Sequence, residues 1–81
     1  MTTHLLWYDP TGPIAERAIR GADACLARTG RWPAAIHAHP ADLPEPLAVQ
    51  VDDGKGTARS IRLDPSPRVL RSHLHLLLEA Q

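Results

Sequence analysis

The sequence predicts a two-layer α+β domain, one long amphipathic helix packed on a small four- or five-stranded mixed or antiparallel sheet. Three observations predict it. Ile14, Ala15, Ala18, Ile19, Ala22, Cys25 and Leu26 recur at helical spacing and make one apolar stripe. Leu47–Val51 and Arg59–Leu63 alternate apolar and polar residues on either side of a glycine-containing turn. A short apolar run precedes the helical stripe and a short alternating run follows it, which is the order of a βαβ unit.

The elements follow in chain order. His4-Leu5-Leu6-Trp7-Tyr8 is apolar on both faces and stops at Asp9-Pro10, which suggests a central strand. Pro13 then suits the first position of a helix, because its missing N–H would have had no partner there. The stripe carries the helix to Thr29, and Gly30 is a natural stop, with Arg28 and Arg31 near the negative end of the helix dipole. Glu16 precedes Arg20 by one helical turn, the favourable order for an ion pair. Gly21 inside the helix costs about 1 kcal/mol relative to alanine, and close packing on a neighbour would explain it.

Ala34–His39 lies between Pro33 and Pro40 and alternates, with Ala34, Ile36 and Ala38 on one side and Ala35, His37 and His39 on the other. Leu43 is the expected anchor of the proline-rich loop that follows. Next comes an antiparallel hairpin, Leu47, Val49, Val51, Ile61 and Leu63 pointing inward, with Asp52-Asp53-Gly54-Lys55-Gly56 as its turn. The final segment, Arg68–Gln81, admits two readings. As a helix, Ser66 would cap it and Val69, Leu70, Leu74, Leu77 and Leu78 would share a face. As a strand, Leu70, Leu74, Leu76 and Leu78 face in while Arg71, His73, His75 and Glu79 face out. The alternation from Arg71 to Leu76 tips the balance to a strand.

Composition bounds the function. With 81 residues the chain makes a single small domain spanning 1–81, and stability is expected at about 3–8 kcal/mol. Nine basic and nine acidic side chains cancel, which argues against a surface built wholly for nucleic acid or anionic lipid. The single cysteine, Cys25, allows no internal disulfide and lies on the apolar stripe, where it reads as a buried small hydrophobe. No apolar run approaches the ~18 residues of a membrane span, and the N-terminal run is too short for a signal-peptide core. A soluble, cytoplasmic protein with no membrane partner is the expectation.

Two patterns carry possible chemistry. His37/His39 and His73/His75 are two His-x-His pairs, and residues two apart on a strand share a face. If both segments were neighbouring strands, these imidazoles would converge as ligands for a transition metal such as zinc; otherwise they are solvated polar-face residues. Arg59, Arg62, Arg68 and Arg71 form a basic stretch that would suit phosphates, although no aromatic lies nearby in sequence for base stacking. The Asp9–Pro13 loop opens a helix but lacks the Gly-Lys-Ser/Thr of a phosphate loop. No catalytic signature is present. The resulting expectation is a small non-enzymatic protein-interaction module without a cofactor, binding itself as a homodimer or binding another protein. A metal-binding domain and a nucleic-acid binder are the alternatives.

Overall fold

The computed structural model describes residues 3–52, 56 and 58–78. The strands are β1 (Thr3–Tyr8), β2 (Ala35–Ala38), β3 (Leu47–Asp52), β4 (Ala58–Pro65) and β5 (His73–Leu78), and the helix α1 (Ile14–Thr29) lies between β1 and β2. The strands form one five-stranded mixed sheet in the order β1-β5-β2-β4-β3, so the expected α+β architecture is what is found. β2 runs parallel to β4, and every other pairing is antiparallel.

The final segment is a strand, and the helical alternative is overturned. Leu74, Leu76 and Leu78 alternate with half-buried neighbours, which serves a sheet with one deeply covered face. Pairing on both sides, with β1 and with β2, then satisfies the backbone. This insertion corrects a second expectation. β1 lies at the edge of the sheet, not its centre, because β5 separates it from β2. The β1-α1-β2 unit is therefore a split one, its two parallel strands flanking an antiparallel third.

All of the deeply buried strand residues share one face with the helix. Ile36, Ala38, Val49, Val51, Ile61, Leu63, Leu74, Leu76 and Leu78 meet Ala18, Ala22 and Cys25 in a single core, and Leu5, Trp7, Ile14 and Trp32 pack against it. Small residues on the helix let it lie close to the sheet. Gly21 is the extreme case: a Cβ there would stand 3.2 Å from Trp7 Cδ1 and 3.5 Å from Leu74 Cδ1. Close packing thus explains the glycine. Leu43 is buried, as its anchoring role requires. Leu47 and Leu70, expected to point inward, are exposed: Leu47 opens β3 at the sheet's outer edge, and Leu70 sits in the turn before β5.

The helix boundaries are set by backbone chemistry. Pro13 is the N-cap and not the first helical residue, with extended φ −62° and ψ 150°. Gly30 adopts φ 76° and its N–H donates to the Leu26 carbonyl at 2.8 Å, closing the last turn. Arg20 makes its closest ion pair with Asp9, its Nε donating to Oδ2 at 2.7 Å, and Glu16 adds a second nearby negative charge. In the hairpin turn, Asp53, Gly54 and Lys55 lie outside the described residues; the β3–β4 pairing that the turn was expected to join is antiparallel, as read.

Candidate functional site

With α1 on one face, no element among the described residues covers the other face of the sheet, and alternation decides what it carries. β1 contributes His4, Leu6 and Tyr8, β5 contributes His73, His75 and Leu77, and β2 contributes Ala35 and His37. Arg62 and Asp64 come from β4, and Ala48, Gln50 and Asp52 from β3. Register orders them in rows across the strands. Leu6, His75, His37 and Asp64 stand in one row, and Tyr8 faces His73 in the next.

Two features of this face are unusual for a small domain. The first is exposed apolar area: Leu6 is 60% and Tyr8 62% exposed, with Leu77 and Ala35 half-buried beside them. The second is a set of imidazoles. His4 and His75 touch diagonally across β1 and β5, with Nδ1 of His4 2.6 Å from Nε2 of His75 and ring centroids 4.3 Å apart. His37 stands directly opposite His75 on the neighbouring strand. Tyr8 and His73 form a second ring pair with centroids 4.9 Å apart, and His73 Nδ1 is 2.9 Å from the Arg71 carbonyl.

The imidazoles are not equivalent in their electrostatics. Burial, and next the nearby positive charge that His4 and His37 carry when protonated, holds His75 below the usual imidazole range. His75 is thus biased toward its neutral form, which offers one lone pair and one N–H. Arg62 and Asp64 neutralise each other through a 3.0 Å ion pair. At the β3–β4 end of the sheet, Pro46, Leu47, Ala48, Ser60 and Arg62 line a shallow open depression of about 380 Å³.

The residues singled out from sequence fall as follows. His37, His73 and His75 share the open face. His39 lies just past β2, and its Nδ1 accepts the Ala41 N–H at 3.0 Å. His4 was not singled out, because it stands alone at the chain start and only the β1–β5 pairing brings it to His75. Among the described residues, no group of three or more His, Cys, Asp or Glu closes on a point that would hold a metal. The arginines are dispersed. Arg59 and Arg62 fall on opposite faces of β4, while Arg68 and Arg71 belong to the β4–β5 connection. Cys25 is buried in the core, its Sγ 3.5 Å from the Arg31 carbonyl.

One end of the sheet is held by a charged network. Asp9 accepts from Arg20 and, at 3.1 Å, from the Thr11 N–H, and its pKa is lowered to about 2, first by the Arg20 hydrogen bond. Asp42 accepts the Ser72 N–H at 2.7 Å and lies 3.7 Å from Arg17. Ser72 holds φ 64° at the start of β5, and its carbonyl accepts the Asp9 N–H at 2.9 Å. These groups are matched to one another, so they fix loops and leave the open sheet face as the candidate site. Among the described residues, no helix is long and apolar enough to cross a membrane. No protein-family model, no curated protein and no solved structure matches this chain.

Proposed function

We propose that this domain is a small non-enzymatic protein-interaction module that pairs with a second copy of itself through the open face of its sheet. The observation that carries the reading is the concentration of Leu6, Tyr8, Leu77 and Ala35 on the face opposite the helix, with Leu6 and Tyr8 each more than half exposed. Exposed apolar side chains interleaved with imidazoles on one uncovered face are what a contact surface would use.

Charge supports a second copy as the occupant, and size limits the contact to a weak one. Five strands at ~4.8 Å spacing and about six residues at ~3.3 Å rise give a face of about 400 Å² before side-chain relief is added. That is below the ~800 Å² per partner of a standard interface and suits a reversible homodimer. The face carries no excess of one charge along β4, because Arg62 and Asp64 cancel. The whole chain also has zero formal net charge, so copies approach without long-range repulsion.

Sedimentation equilibrium over a concentration series tests the reading. A monomer–dimer equilibrium is expected. Leu6→Asp, at an exposed edge-strand position, leaves the monomer folded and weakens association by about tenfold or more, since the carboxylate would be desolvated against the partner. A strict monomer at the highest attainable concentration, or unchanged association in Leu6→Asp, overturns it.

A further inference from the structure

We propose that His4 and His75 form half of a zinc-class metal site, completed by the same two side chains of a second copy docked on the open sheet face. This inference rests on the self-association reading above and names what would regulate it.

The geometry begins with the 2.6 Å approach of His4 Nδ1 to His75 Nε2. Two ring nitrogens at that distance share one proton, and both lone pairs address the same small volume. A zinc ion in place of the proton, with Zn–N bonds of about 2.0–2.1 Å and tetrahedral angles, needs the nitrogens about 3.3 Å apart. His4 is exposed on an edge strand, so its ring supplies that movement by a change of side-chain torsion alone.

The ligand count then calls for a partner. A closed structural zinc site uses four nitrogen or sulfur donors. Among the described residues no group of three or more metal-binding side chains closes on a point. A two-fold axis through the His4–His75 pair brings two copies of the same patch together and supplies four imidazoles. Leu6, the register partner of His75, borders the same patch and would be carried into that contact. Metal ligation and apolar burial are thereby satisfied by one arrangement. His37, across from His75 on β2, provides the adjoining polar wall.

His75 is half-buried between His4 and His37 on this face. The other titratable groups turned to this face are Tyr8 on β1, His73 on β5, Asp64 beside Arg62 on β4, and Asp52 at the end of β3. Asp64 is engaged with Arg62 and Tyr8 stacks on His73, so these groups are not turned to His4.

The experiment uses the full chain without a polyhistidine tag. Sedimentation equilibrium and zinc titration calorimetry are run with zinc chloride and, separately, with EDTA. Zinc is expected to bind at one ion per two chains and to tighten the dimer by about tenfold or more. His4→Gln and His75→Gln should each abolish that response, while His39→Gln retains it. His4→Gln lies at an exposed position, so it keeps the test decisive if His75→Gln folds poorly. A dimer in EDTA that zinc leaves unchanged overturns the metal site and leaves the self-association reading standing. A monomer under both conditions overturns both. One zinc per chain without dimerisation, or an undiminished response in His4→Gln, also overturns the metal site.

Discussion

Replacing Gly21 with alanine opposes two effects whose sizes can be read from the structure. In an exposed helix interior the change gains about 1 kcal/mol, because alanine restricts the unfolded chain. At this position the new Cβ would stand 3.2 Å from Trp7 Cδ1, 3.4 Å from Trp7 Cγ and 3.5 Å from Leu74 Cδ1. Favourable carbon–carbon contacts lie at about 3.5–4.0 Å, so the tryptophan ring must retreat by a few tenths of an ångström. Its retreat is opposed on the side where it meets the core. The ring packs against the core on one side, and the Arg28 guanidinium lies 5.9 Å from its centroid. Leu74 is 1% exposed and sits on the strand between β1 and β2. Overpacking of this kind costs about 1–3 kcal/mol, which leaves a net loss of about 1 kcal/mol and a Tm lower by about 4–8 °C. Thermal and urea unfolding, followed by far-ultraviolet circular dichroism and tryptophan fluorescence, measure it. If Trp7 is the obstacle, the alanine becomes favourable in a Trp7→Leu background. A Gly21→Ala protein that melts several degrees higher than the parent would refute the close-packing argument, as would simple additivity in the double variant.

Two further perturbations probe the frame around the site. Gly30→Ala meets open space but must hold φ 76°, so urea unfolding should show a loss of about 1–2 kcal/mol from backbone strain alone, and an unchanged midpoint would contradict the left-handed cap. Asp9 is held at a pKa of about 2 by Arg20, below its unfolded value near 3.9, so it stabilises the fold fully above that unfolded value and loses this contribution as pH falls through about 2. Asp9→Asn should therefore be less stable than the parent at pH 6, with the gap closing toward pH 2; a gap independent of pH would remove the Asp9–Arg20 pair as its source.

Local patterns in the sequence made the elements legible, while their arrangement was not. The stripe from Ile14 to Leu26 and the alternation at Val49–Val51 and Ile61–Leu63 each report burial of one face, and burial is what periodicity encodes. The position of β1 was misread because exposed Leu6 and Tyr8 gave it the apolar character of a central strand. An apolar outer face on an edge strand looks the same in sequence as a buried one. Leu47 and Leu70 show the same ambiguity at strand ends, where alternation continues past the point at which the core stops. The His37–His75 neighbourhood could be anticipated from two His-x-His patterns once both segments were taken as strands. His4 could not, since its contact with His75 is a property of strand order, and no spacing rule spans that distance along the chain.

The strand that separates β1 from β2 reaches its place from far along the chain: the register sets Thr3 against Leu78. Until residues 73–78 have left the ribosome, β1 has no hydrogen-bonded neighbour and β2 has one free edge, so the sheet cannot be assembled progressively during synthesis. Its closure waits on a single late, long-range event, whose loop-closure entropy must be overcome before the nonlocal pairings contribute. In the interval, the unpaired backbone edge of β2 stands open to other nascent chains.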